Sequence, residues 1–242
     1  MTLPIINTPE YRLNVPSTDE EITYRPFLVK EEKLLLIAQE TGTEDATYRA
    51  IKTIIENCCK GKIELDKLPL FDMEYIFLNI RAKSVGEIAK LKVTCPDDKK
   101  TQVDIEVDLT KVNVEMDETH DARIQLSEEP NIGILMSYPS IDTLGQVSAA
   151  NAKGKDKQDA DRLFEMIADS LYQIWQGEDT FDAMDYKMKE KLTFLESLNH
   201  DQFGKIQQFF ETMPTLKHDV EITNPNTDVK STITLSGMND FF

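Results

Sequence analysis

Along residues 68–86, LPLFDMEYIFLNIRAKSVG, apolar side chains fall on every side of a helical wheel. Leu70, Phe71, Met73, Tyr75, Ile76, Phe77, Leu78 and Ile80 leave no polar stripe. A helix that is apolar all round is buried, so the pattern predicts a core helix over 69–82 with other elements packed around it. Pro69 suits the first turn, where no backbone donor is needed. Asp72 lies near the N-terminus and Arg81 and Lys83 near the C-terminus, as the helix dipole favours. Ser84, Val85 and Gly86 supply the stop. The stretch is too short and too interrupted by charge to span a bilayer.

Before this helix the chain reads as extended and then helical. Tyr11, Leu13 and Val15 alternate, Pro16-Ser17-Thr18-Asp19 signals a turn, and Ile22 and Tyr24 continue in extended form. A helix is predicted over 30–40, with Leu34, Leu35, Ile37 and Ala38 as its buried stripe. A second is predicted over 46–60. There Ile51, Ile54, Ile55, Cys58 and Cys59 recur at i, i+3, i+4, i+7, i+8 and place both cysteines on the core face.

After Gly86 the period changes to two. Residues 88–95 and 102–109 flank Pro96-Asp97-Asp98-Lys99, and Val103, Ile105, Val107 and Leu109 alternate with acids, which predicts a half-buried hairpin. Val112, Val114 and Met116 extend that sheet, and further strands are predicted at 123–126 and 131–138. The second half turns helical, with helices predicted at 140–149, 159–175, 187–198 and 201–212. Residues 151–157 form a polar connector and 178–185 an acidic loop. Strands at 218–224 and 230–235 close the chain around Pro225-Asn226-Thr227-Asp228. This last hairpin repeats the first weakly, Ile222-Thr223-Asn224-Pro225 matching Val93-Thr94-Cys95-Pro96. The pattern as a whole predicts an α+β protein with an N-terminal helical layer around a buried helix, a central antiparallel sheet with hairpins, and C-terminal helices ending in a second β-hairpin. The expected domains are 1–139 and 140–242.

Charge narrows the function. A net charge of −17 argues against nucleic acid, whose binding depends on cations that neutralise phosphate, and against anionic membranes. It suits docking on a basic partner. Three cysteines without regular spacing make no disulfide framework and point to a reducing cytoplasm. The first residues lack the basic-then-apolar order of a signal peptide.

Catalytic chemistry does not emerge. No phosphate-binding glycine loop and no nucleophile elbow is present. His120, His200 and His218 lie far from one another, and His120 and His200 read as surface residues. Cys95-Pro96 at the hairpin turn resembles half of a zinc knuckle, but the matching turn carries Asn224 and Asn226. One thiolate cannot complete a tetrahedral site, so the hairpins are expected to hold through packing and hydrogen bonds. No catalytic residue, metal or cofactor is expected. The closing Phe241 and Phe242 each hide roughly 150–250 Å² when buried, so they either dock on this protein or wait for a partner. With Phe209 and Phe210 of the last helix, they are the candidate partner contacts, although core packing is the stronger expectation for Phe209 and Phe210.

Three segments go beyond pattern. YRPFLVKEEKLLLIA (24–38), LPLFDMEYIFLNIRAKSVGE (68–87) and QQFFETMPTLKHDVEITNP with ITLSGMNDFF (within 207–242) resemble the baseplate hub family of T-even-like contractile-tailed phages, in order and nearly end to end. The resemblance implies a non-enzymatic protein that works in the infected host cytoplasm. Its implied task is to build the central hub as an assembly chaperone or as a structural subunit of the virion. Implied partners are other hub and tail proteins, the tape-measure protein included. It also implies Cys pairs at the two hairpin turns, of which this sequence keeps only Cys95.

Overall fold

The computed structural model describes residues 7–59, 63–65, 68–140 and 159–241. In chain order the elements are β1 (Tyr11–Asn14), β2 (Glu21–Tyr24), α1 (Val29–Thr41), α2 (Glu44–Cys58), α3 (Leu70–Val85), β3 (Ile88–Thr94), β4 (Gln102–Asp108), β5 (Asn113–Glu115), β6 (Arg123–Ser127) and β7 (Ile132–Met136). They continue with α4 (Asp159–Asp169), β8 (Leu171–Gln176), β9 (Asp179–Asp182), α5 (Met188–Glu196), α6 (His200–Thr212), β10 (Thr215–Thr223) and β11 (Lys230–Ser236). The fold is α+β, and every strand pairing is antiparallel. No helix among the described residues is long and apolar enough to cross a membrane.

The chain forms two compact units. Unit 1 comprises Met1–Gly42, Arg49–Glu115 and Thr215–Phe242; unit 2 comprises Thr43–Tyr48 and Met116–Pro214. The divide follows pairing. β5 joins β10 (Leu216 opposite Val114) in a three-stranded sheet with β11, while among the described residues β3 and β4 pair only with each other. Val114 therefore extends the last hairpin, not the first as the sequence pattern predicts.

Unit 1 is built on α3. Phe71, Met73, Ile76, Phe77, Leu78, Ile80 and Ala82 are all buried, as an all-round apolar helix requires. The helix runs through Ser84 and Val85, and Gly86, at φ 144°, ends it. Leu78 and Ala82 share a core with Ala89, Ile105, Val107, Val112, Leu216, Ile222, Leu235 and Phe241. On α2, Ile51, Ile54, Ile55, Cys58 and Cys59 are buried on the face that their spacing predicts.

Three acids are held inside unit 1 by donors. Asp72 is fully buried and accepts the Ser17 backbone N–H (3.0 Å) and the Ser17 hydroxyl. Burial still raises its pKa. Glu31 occupies the inner face of α1, where Ile37 was expected. It accepts Arg25 Nη2 at 3.0 Å and the Leu28 N–H at 2.8 Å, while Ile37 stands 48% exposed. Glu74 accepts the Met238 N–H at 3.1 Å, which seats the 3-10 turn Met238–Phe241 on α3.

Unit 2 is a sheet in the order β6-β7-β8-β9. Ile124, Leu126, Ile134 and Met136 face a core completed by Ile167 and Ala168 of α4, Leu195 of α5, and Ile206 and Phe209 of α6. The opposite face is closed locally by Trp175. Its indole covers Gly133, where an added Cβ would lie 2.0 Å from Cζ2, and Arg123 sits 4.4 Å from the ring centroid. The helix predicted over 159–175 stops at Asp169. Leu171–Gln176 is a strand, because LYQIWQ is rich in residues that suit a pleated surface and β7 and β9 flank it. Gly177, at φ 64°, turns a hairpin instead of ending a helix. The expected acidic loop is β9 followed by a 3-10 turn, Ala183–Asp185. The predicted helix at 140–149 and connector at 151–157 lie outside the described residues, apart from Ser140.

Candidate functional site

The two matching hairpin turns meet through hydrogen bonds. Each starts at a residue before proline and carries a left-handed residue four places on: Lys99 at φ 55° and Asp228 at φ 57°. Lys99 N–H donates to the Cys95 carbonyl (3.0 Å), and Asp228 N–H to the Asn224 carbonyl (2.9 Å). The β1–β2 turn has the same form, with Asp19 at φ 55° donating to the Val15 carbonyl at 2.8 Å. Asp97 clasps the two larger turns. Its carboxylate accepts the Thr227 hydroxyl (2.5 Å) and Asn224 Nδ2 (2.9 and 3.0 Å), which hold its pKa below the usual carboxylate range. Asn226 Nδ2 donates to Thr101 Oγ1 at 2.8 Å. Thus the amide and hydroxyl donors of one turn bind the carboxylate and hydroxyl of the other. Among the described residues no group of three or more His, Cys, Asp or Glu is placed to hold a metal ion.

The thiols are not poised as nucleophiles. Burial pushes Cys58 up to about 11 and Cys59 to about 12, and burial followed by Asp97 and Asp98 raises Cys95. A thiol needs a lowered pKa to react readily at neutral pH.

His120 is not the surface residue that its polar neighbours predict. Its ring lies 4.9 Å from Phe209 and 5.5 Å from Tyr138, centroid to centroid. The Thr212 hydroxyl donates to the Gln208 carbonyl (2.8 Å), so its oxygen accepts from His120 Nδ1–H at 2.9 Å. Nε2 is then the unprotonated nitrogen, and it is buried without a hydrogen-bond partner among the described residues. Burial lowers the His120 pKa against the opposing pull of Asp121 and Asp117.

The four candidate phenylalanines part company. Phe209 is 2% exposed in the unit 2 core, and Phe210 packs partly against the same core. Phe241 is fully buried in unit 1, so it docks on this protein. Phe242 lies outside the described residues.

Uncovered apolar surface lies elsewhere. On α1, Val29 (79% exposed), Leu36 (55%) and Ile37 form an outward stripe at i, i+7, i+8, a second apolar face opposite Leu34, Leu35 and Ala38. In unit 2 a cleft of about 500 Å³ is lined mainly by Ile132, Ile174, Phe181, Ala183, Tyr186 and Phe194, with Lys191 as its one basic residue. Met184, 84% exposed, lies on the adjoining 3-10 turn, and the Phe181 and Tyr186 rings meet edge-on at 6.4 Å. The signal for this surface was the odd richness of Phe181, Met184 and Tyr186 within an acidic stretch.

Comparison with known proteins is consistent with surfaces made for contact. No curated protein and no solved structure matches the chain. The family model described as T4 bacteriophage base plate protein matches residues 8–242, nearly the whole length, and the chain therefore belongs to that family of phage tail base plate proteins.

Proposed function

We propose that this protein takes part in assembling the central hub of the phage baseplate, as a non-enzymatic assembly chaperone that binds hub and tail proteins in the host cytoplasm. The observation that carries this proposal is the pair of uncovered apolar surfaces, the α1 stripe and the β9 cleft, on a base plate protein of net charge −17. Contiguous exposed apolar surface marks sites of association, and high charge keeps such a protein soluble until its partner arrives. The tape-measure protein is one candidate client. The family's description as base plate protein favours a second role, that of a hub subunit retained in the virion. Mass spectrometry of purified particles beside a lysate arrested before tail completion separates the two. A chaperone is found with hub proteins in the lysate and is missing from particles. A subunit is found in particles at fixed copy number. Absence from both overturns the hub assignment.

A further inference from the structure

We infer that the cleft at the β9 end of unit 2 receives an extended segment of another protein, in which large apolar side chains alternate with lysine or arginine. The segment adds as a strand to the outer edge of β9. This names the chemistry of the partner and rests on the assembly role proposed above.

Three features converge on that occupant. First, β9 is the terminal strand of its sheet, so its outer backbone edge pairs with no strand among the described residues. A segment laid there gains main-chain hydrogen bonds whatever its sequence. Second, the side chains on one face have somewhere to go. Phe181 stands opposite Ile174 and lines the cleft. In an added strand, the residue beside Phe181 points to the same face and enters the space bounded by Phe181, Tyr186 and Phe194. A cleft of about 500 Å³ falls within the range of binding sites.

Third, charge selects the partner. Glu178, Asp179, Asp182, Asp185 and Glu190 surround the cleft and β9, and none of them forms an ion pair among the described residues. Lys191 lies 3.9 Å from Asp169, so the one cation lining the cleft faces an acid of its own. Charge on an edge strand repels copies of the same chain, and a net −17 on each copy reinforces this. Asp182, on the face opposite Phe181, meets the basic positions of such a strand, because opposite charges across neighbouring strands stabilise the pair, and the remaining acids draw it to the site.

The probe is a fluorescein-labelled peptide, Lys-Val-Lys-Phe-Lys-Val-Lys, added to the full chain and followed by anisotropy at low salt. A Lys-Ser-Lys-Ser-Lys-Ser-Lys peptide controls for charge alone. The expected result is at least tenfold tighter binding of the apolar peptide. Phe181→Ala should lose at least tenfold and Asp182→Asn several-fold, while Ile88→Thr on β3, an exposed position outside both apolar surfaces, should leave the affinity unchanged. Hydrogen exchange at the amides of Asp179–Asp182 should slow when the peptide is bound. Equal binding of the two peptides, or an affinity within twofold of wild type for Phe181→Ala, overturns the inference. So does unchanged exchange along β9 at saturation. Circular dichroism of each variant guards against unfolding, and Phe181 is exposed enough to be replaced without opening the core. Failure of the peptide experiment removes the cleft and leaves the hub role standing. Peptide binding by a chain that mass spectrometry finds with no hub protein leaves the cleft and removes the role.

Discussion

The two units handle buried polarity differently. Unit 1 buries Glu31, Asp72 and Asn224 and gives each a partner. Two of those partners come from far along the chain: Ser17 for Asp72 and Asp97 for Asn224. Among the described residues of unit 2, Ser170 is the one buried polar side chain and is met locally by the Met166 carbonyl, while His120 Nε2 is left unmet. Unit 2 relies on aromatic fit, with Phe209 against Phe210, Tyr138 and His120, and Trp175 against Gly133. A buried polar group without a partner is penalised heavily, whereas a paired one is roughly neutral. Hydrogen bonds in unit 1 therefore fix which distant segments meet. In unit 2 shape adds to a few such bonds, His120 to Thr212 and Gln202 to the Leu126 carbonyl among them.

Substitutions can break this contrast. The largest effect is expected from Phe241→Ala. It empties a fully buried site in the unit 1 core and should destabilise by about 4 kcal/mol in urea unfolding. A loss below about 1 kcal/mol would mean that the ring serves a partner instead. Gly133→Ala follows, at about 3 kcal/mol, because its Cβ must displace a rigid indole. Trp175 fluorescence should shift in the native state. Arg25→Ala should cost about 2 kcal/mol, less than the usual loss for a broken buried pair. The Leu28 N–H still serves Glu31, and Lys30 lies 3.3 Å from it.

The smallest effect depends on pH. Burial holds the His120 pKa below its unfolded value, which is about 6.5. Its neutral form is thus favoured by folding. That stability is fully present above about pH 6.5 and is lost as pH falls through the folded value. Between about pH 8 and pH 5, wild type should lose stability relative to His120→Leu, with the urea midpoint as the readout. A constant difference across that range would show that His120 does not titrate against the fold.

Unit 1 was the more legible in sequence, for a physical reason. Its period-two alternation from Val103 to Leu109 and the all-round apolarity of α3 are local patterns that tertiary packing reinforces. In unit 2 the apolar residues of 159–175 fit a helical period equally well, and only pairing with β7 and β9 decides that Leu171–Gln176 is a strand. β9 is exposed at all four positions, so it has no inward face to leave an alternating signature. The α1 stripe misled in another way. A helix apolar on two faces does not say which one is inside, and a buried Glu31 is not foreseen from sequence. Of the candidate contacts, Phe209 and Phe241 are spent in the cores, whereas Phe181 and Met184 at the uncovered surface carried no periodic signal.

The division into units also sets an order in time. Unit 2 is drawn almost wholly from the continuous stretch Met116–Pro214, whereas unit 1 needs Thr215–Phe242 to complete it. On the ribosome, β5 therefore emerges long before β10, its one partner strand among the described residues. At synthesis rates of roughly 5–20 residues per second, the wait is on the order of ten seconds. Unit 2 has that interval in which to close, while α3 and the β3–β4 hairpin stay short of the segment that seals their core. For those seconds the apolar surface of α3 waits without the segment that covers it.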